Sequence, residues 1–258
     1  MNRLISNKAQ IGQNVIISRG AQIGPNTILH DGVYIGNNVI IDDSEIGEST
    51  KIEDNCIIGY SNATGFVSRS TQVGDLSRLK MGRNCLVREG STLYKGSVYG
   101  ESVKIHHKVL IREKTNIGDF SSIGSMCDLE GNITIGRHCS IHSNVHLCFD
   151  TTIGDYVFIA PFCITTNGNP MGYKRPQLPA IYGFEKGPVI ESGCQIAVHT
   201  TILPRVRIGY ESMIGANSLV TRDVSPLSIM LGSPAKHKGE VNELYRLPIE
   251  IRNELGLK

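Results

Sequence analysis

Residues 117–159, broken every six, read IGDFSS IGSMCD LEGNIT IGRHCS IHSNVH LCFDTT IGDYVF I. An Ile or Leu opens every group. Toward the N-terminus the same beat runs back through Ile111, Ile105, Tyr99, Leu93 and Val87 to Met81. It is found earlier at Ile5, Ile11, Ile17, Ile23, Leu29, Ile35 and Ile41, then, after a one-residue slip, at Ile46, Ile52 and Ile58. A third block carries it from Ile190 through Ile196, Ile202, Ile208 and Ile214 to Val220. An amphipathic helix repeats near 3.6 residues and a strand at 2, so neither sustains a beat of six over such a span. Short strands joined by tight corners do, three groups to a coil, which predicts a parallel β-helix of stacked triangular coils.

The other positions of the hexad agree. Four residues after the aliphatic one stands something small or modestly apolar: Ala9, Val15, Ala21, Val109, Ser121, Val145, Val157. Six of the seven cysteines, Cys56, Cys85, Cys127, Cys139, Cys163 and Cys194, take this slot and read as reduced core residues, since buried free Cys packs as a small hydrophobe. Three residues after the aliphatic one, Asn or Gly recurs at Asn14, Gly20, Asn26, Gly32, Asn38, Asn55, Asn84, Gly90, Gly96, Asn132, Asn144, Gly193 and Asn217. These residues accept the positive φ that a tight corner needs.

Two stretches leave the beat, near 61–80 and 165–189; the second, rich in Pro, Gly, Lys and aromatics, is long enough to suggest function. We read 1–224 as one β-helix domain and 225–258 as a closing turn followed by a short helical tail that covers one end of the coil, begun afresh at Pro248. The fold class is all-β. With 26 basic and 24 acidic residues, no large electrostatic footprint for nucleic acid or a membrane surface is expected. The N-terminus has no signal-like apolar core and no run is long enough to span a bilayer, so the expectation is a soluble cytoplasmic protein.

The segment 214–236, IGANSLVTRDVSPLSIMLGSPAK, resembles the closing segment of hexapeptide-repeat acyltransferases, with Gly215, Ala216, Ser218, Asp223, Gly232 and Pro234-Ala235-Lys236 in that family's order. The resemblance implies a left-handed coil, a homotrimer with sites between subunits, and acetyl-CoA held along the last coils. Its contacts would include Ala197, Gly215, Ala216, Ser218, Arg222, Pro234, Ala235 and Lys236, with Arg222 and Lys236 facing phosphate oxygens. The stretches TTNGNP (165–170) and HHKVLIRE (106–113) are similar to segments of the members that acetylate amino groups of nucleotide-linked sugars. That alignment places the family's histidine on His107, and His106 where the family has glycine. No metal or redox cofactor is implied.

Stacking by adding 18 puts His107 above Glu89 and below Ser125, and puts His106 in one column with Arg88, Gly124 and His142. A carboxylate beside an imidazole fixes its tautomer and raises its basicity, so His107 is the candidate base with Glu89 orienting it, and Asn144 a candidate for the oxyanion. Spacing alone does not separate His107 from a solvated strand histidine; the resemblance favours catalysis. His106, Glu113, Asp150, Asn167, Asn169, Tyr173, Lys174 and Arg175 are the candidate substrate contacts, the last two suited to a diphosphate. Arg112 is expected beside Glu130, His146 beside Asp128, and His138 between Phe120 and Tyr156, while His30, His199 and His237 join no constellation. The function expected is N-acetylation of a nucleotide-linked amino sugar for surface glycan synthesis. The rivals are a sugar O-acetyltransferase, a γ-type zinc carbonic anhydrase, which uses histidines five apart that this chain lacks, and a noncatalytic scaffold.

Overall fold

The computed structural model describes residues 5–61, 77–168 and 186–257. Two-residue strands at the predicted beat form three parallel faces. One runs from Gln10–Ile11 to Arg207–Ile208, a second from Ile16–Ile17 to Met213–Ile214, and a third from Gln22–Ile23 to Leu219–Val220. The register is the expected 18 through the central block, as in Lys104↔Ser122, Ser122↔Ser140 and Ser140↔Phe158. Across the second excursion the coil resumes in phase, Thr152 pairing with Val189 and Ile153 with Ile190.

The beat residues point inward and form one continuous core, including Ile105, Ile123, Ile141, Ile159 and Ile196. Each such side chain contributes about 1.5–3 kcal/mol relative to exposure. All seven cysteines are free and buried. Burial pushes the thiols of Cys56, Cys85, Cys127 and Cys139 up to about 11 and that of Cys194 to about 12. Their slot has a second rule that size alone did not reveal. Its hydroxyl or thiol donates to a corner carbonyl of the following coil: Ser91 to His106 at 2.8 Å, Ser121 to Gly136 at 2.7 Å, Cys127 to His142 at 3.0 Å, Cys139 to Gly154 at 3.0 Å. Ser, Thr and Cys recur there because a buried corner carbonyl needs a donor.

The corners hold φ near +55 to +75°, at the predicted Asn and Gly but also at Lys108, Phe120, His138, Tyr156, Phe162 and His199. For side chains this large the conformation costs roughly 1–2 kcal/mol each, and stacking between coils offsets part of it. His138 is sandwiched between Phe120 at 5.0 Å and Tyr156 at 4.8 Å, and Phe162 stacks on His199 at 5.0 Å.

The tail differs from expectation. The coil's end is closed by the strand Ser228–Leu231 and the antiparallel strand Lys236–Glu240, both added to the second face. The helix Ile249–Leu255 does start afresh after Pro248, but it does not cover that end. It lies back along the flank. The Leu247 amide donates to Glu211 Oε1 at 2.6 Å, Arg252 pairs with Glu211 at 3.0 Å, and Glu254 reaches Arg137 several coils away. The buried Glu211 carboxylate is the anchor, because leaving it unpaired in the interior would be costly.

Candidate functional site

Three columns of the second face and its following corner define a groove. In the first, Lys104, Ser122, Ser140 and Phe158 succeed one another by register. The second is His106, Gly124 and His142, and the third His107, Ser125 and Ser143, spaced by the same 18 residues. The middle coils of each column carry Ser or Gly, so the surface dips between the coil of His106 and that of Phe158. The groove has a volume of about 230 Å³ and is lined by His106, Ser122, Gly124, Ser125, Ser140, Ile141, His142 and Ser143. Gly124 is obligatory for packing as well: a Cβ there would lie 2.5 Å from the His142 carbonyl carbon and the Ser143 nitrogen.

His106 is half-buried at one wall, its Nε2 3.3 Å from Ser122 Oγ. Its proton affinity is held below the ordinary imidazole value, first by burial and then by the positive charges of Arg88, His107, Lys104 and His142. An imidazole kept neutral this way has a lone pair free to take a proton at neutral pH. At the far wall the His142 ring tilts against Phe158 at 4.8 Å.

The sequence-derived candidates distribute unevenly around this groove. His107 occupies the turn at its edge and is exposed. Glu89, expected to orient it, is also exposed, and its carboxylate accepts from Asn55 Nδ2 at 3.4 Å. Asn144 sits at a corner with φ 59° in the coil of His142. Glu113 is turned inward rather than toward a substrate. Arg112 grips it, with Nη2 2.8 Å from Oε1 and Nε 3.3 Å from Oε2, so Arg112 pairs with its own neighbour where Glu130 was expected. The chain bends after Arg112, which brings the two side chains together. Glu130 instead accepts from the Phe149 amide at 3.1 Å and lies 3.7 Å from His146, which also stands 3.6 Å from Asp128 as expected. Asp150 accepts from Asn132 Nδ2 at 2.8 Å. His30, assigned no partner from sequence, faces Glu45 at 3.3 Å, and His199 stacks on Phe162. The Asn167 carbonyl accepts from the Lys186 amide at 3.0 Å, closing the neck of the second excursion. Asn169, Tyr173, Lys174 and Arg175 lie outside the described residues.

In the closing segment, the amides of two expected acetyl-CoA contacts are used within the fold: Ala197 N donates to Ile214 O and Gly215 N to Met230 O, both at 2.8 Å. A Cβ at Gly215 would lie 1.9 Å from Leu231 Cδ2, so the exposed Leu231 side chain would have to turn aside to admit one. Buried Ser218 fixes the turn by accepting from the Gly232 amide at 3.1 Å. Ala235 is half-buried, whereas Ala216, Arg222, Pro234 and Lys236 are exposed, leaving a cationic rim at this end of the coil.

Residues the sequence reading passed over are Lys104, Ser122, Ser140 and Ser143. The signal was available, because the addition of 18 that gathers His106 with His142 also gathers these.

A family described as the GMPPB C-terminal domain matches residues 1–117. A galactoside O-acetyltransferase of Escherichia coli is 35% identical over 116 residues, 43% of this chain and 56% of that protein. The bifunctional protein GlmU of a Thermotoga species is 29% identical over 194 residues, 73% of this chain and 39% of that protein. The chain thus spans about half the length of the former and less of the latter. In structure it is similar to the UDP-N-acetylglucosamine O-acyltransferase LpxA of Moraxella catarrhalis, with a TM-score of 0.51 and 15% identity over 99% of this chain and 79% of that one. The chain is thus similar to acetyltransferases and acyltransferases in both sequence and fold. Its coil is a left-handed β-helix, the fold it shares with LpxA. Among the described residues, no helix is long and apolar enough to cross a membrane, and no group of three or more His, Cys, Asp or Glu is arranged to hold a metal ion.

Proposed function

We propose that the chain is an acetyl-CoA-dependent acetyltransferase that acetylates the amino group of a nucleotide-linked sugar, with the acceptor lying over the groove beside His106. The observation that carries this reading is the neutral, half-buried imidazole of His106 set against Ser122 in a hydroxyl-lined groove. His106 is favoured over His107 as the base because the groove and the Ser122 contact belong to it; His107 is the second candidate.

In the reaction, the acceptor nitrogen attacks the thioester carbonyl carbon and the C–N bond forms as the C–S bond breaks. His106 takes the proton the nitrogen releases, and the sulfur leaves as thiolate and is protonated to the thiol. Ser122 fixes the ring's orientation. The cations that hold His106 neutral equally disfavour the ammonium form of the acceptor, so the nucleophilic free amine is the form bound. The exposed Arg222 and Lys236 at the coil's end suit the phosphates of acetyl-CoA, and a homotrimer would bring a neighbouring chain against the groove. A sugar O-acetyltransferase is the second reading, supported by a floor of serines with no carboxylate to receive an ammonium.

The test is thiol release from acetyl-CoA across UDP- and dTDP-linked amino sugars and their hydroxyl counterparts, for the wild type, His106→Ala and His107→Ala. Amine-dependent release that falls about a hundredfold in His106→Ala alone supports the proposal. Release with hydroxyl acceptors only selects the O-transferase. A loss confined to His107→Ala returns the base to the turn.

A further inference from the structure

We propose that Lys104 is the specificity determinant of the acceptor groove, binding the phosphate of a phosphorylated or nucleotide-linked sugar. The inference deepens the groove reading above and rests on it.

Lys104 holds the outward position of its strand, directly beneath Ser122 and above Leu86. Its column therefore supplies no carboxylate. Among the described residues none pairs with it, whereas Arg83, Arg88, Lys95, Arg137 and Arg207 all meet Asp or Glu. An exposed lysine without a partner is ordinary by itself. Here it is one coil from Ser122 and two residues from His106, next to a groove whose floor is hydroxyl and glycine and which no carboxylate lines. The opposite rim is the exposed Phe158, three coils along the same column, or about 14 Å at the inter-strand spacing.

The groove therefore has a cationic end, a floor of hydroxyls and an aromatic end. That order fits an acceptor with an anionic group at one end and a polyhydroxyl ring beside it. A neutral glycoside would leave Lys104 unused, and a free cationic amine sugar would face it unfavourably. The depressed proton affinity of His106 has the same origin in part, since Lys104 and Arg88 both bias that ring against a positive charge. A phosphate on Lys104 would relieve that bias, so the histidine reports on occupancy.

The experiment follows the imidazole proton resonances of the full chain by NMR through a pH titration, His106 being assigned by comparison with His106→Gln. Glucose 1-phosphate is expected to raise the titration midpoint of His106 in the wild type and to leave it unmoved in Lys104→Met, while methyl glucoside moves neither. An equal rise in Lys104→Met, no rise with glucose 1-phosphate, or the same rise with inorganic phosphate at equal concentration overturns the inference. None of these readouts requires turnover. If thiol release occurs equally well with neutral and phosphorylated acceptors, and Lys104→Met leaves both KM values unchanged, the acetyltransferase reading stands and this inference fails. If thiol release fails with every acceptor while the NMR response holds, the reverse is established.

Discussion

Thr27 provides a sharp test of how the coils are held together. It occupies the slot whose hydroxyl, in other coils, donates to the carbonyl fifteen residues on. Its counterpart would be the Asp42 carbonyl, but that carbonyl is taken by Ser44 Oγ at 2.7 Å. Ser44 stands there because the beat slips by one residue between Ile41 and Ile46. The Thr27 hydroxyl is left fully buried with no hydrogen-bond partner among the described residues. An orphaned buried hydroxyl costs roughly 1–3 kcal/mol, and Val replaces Thr at nearly equal volume, so Thr27→Val should stabilise the chain by about 1 kcal/mol. Thr50 is the control. Its hydroxyl donates to the Gly82 carbonyl at 3.0 Å and accepts from the Cys85 amide at 3.1 Å. The same change, Thr50→Val, removes both bonds and strands two backbone groups, and should destabilise by about 2 kcal/mol. Urea denaturation followed by circular dichroism separates the two. With a slope of about 1–3 kcal/mol/M, 1 kcal/mol moves the midpoint by roughly 0.3–1 M, upward for Thr27→Val and further downward for Thr50→Val. Midpoints that move in the same direction would refute the donor rule for this slot.

Three other outcomes follow from the geometry. Because His106 binds its proton more weakly than an ordinary imidazole, the acidic limb of a kcat/KM profile should have its midpoint below 6.5, and Lys104→Met should move that midpoint upward. His146 is shifted the other way, first by the Asp128 carboxylate beside it and also by Glu130, against the opposing effect of burial. Its folded-state pKa lies above the unfolded one, so the stability it confers is present in full below the ordinary imidazole value and lost as pH rises through the folded value. The stability difference between wild type and His146→Gln, measured by denaturation at several pH values, should accordingly shrink toward alkaline pH. Gly124→Ala places a methyl group 2.5 Å from the backbone of the next coil and should destabilise by about 1–3 kcal/mol, whereas Gly168→Ala, with nothing within 4 Å among the described residues, should leave the thermal midpoint unchanged.

The coil itself was legible in the sequence. A period of six needs only that each residue face in or out of a corner, which its own size and φ preference decide locally, so Ile105, Ile123 and Ile141 announce the core and Asn132 and Asn144 the corners. The columns were legible for the same reason, since parallel stacking at constant register makes neighbours of residues 18 apart, and His138 was placed between Phe120 and Tyr156 by that arithmetic alone. The arithmetic placed His106, Gly124 and His142 together but not the groove. A groove is a contrast in side-chain height between adjacent columns, and it appeared only when Ser122, Ser140, Ser125 and Ser143 were seen beside Phe158. Contacts set by side-chain direction were also beyond reach. Arg112 met Glu113 instead of Glu130 because a bend turned Glu113 inward, and Glu89 met Asn55 rather than His107 because long exposed chains choose among partners at similar distance. The tail was the largest departure. Its helical character is local and was readable from Pro248 onward, but its position was decided by Glu211, a buried carboxylate that could be satisfied only by drawing Leu247 and Arg252 back along the coil's flank.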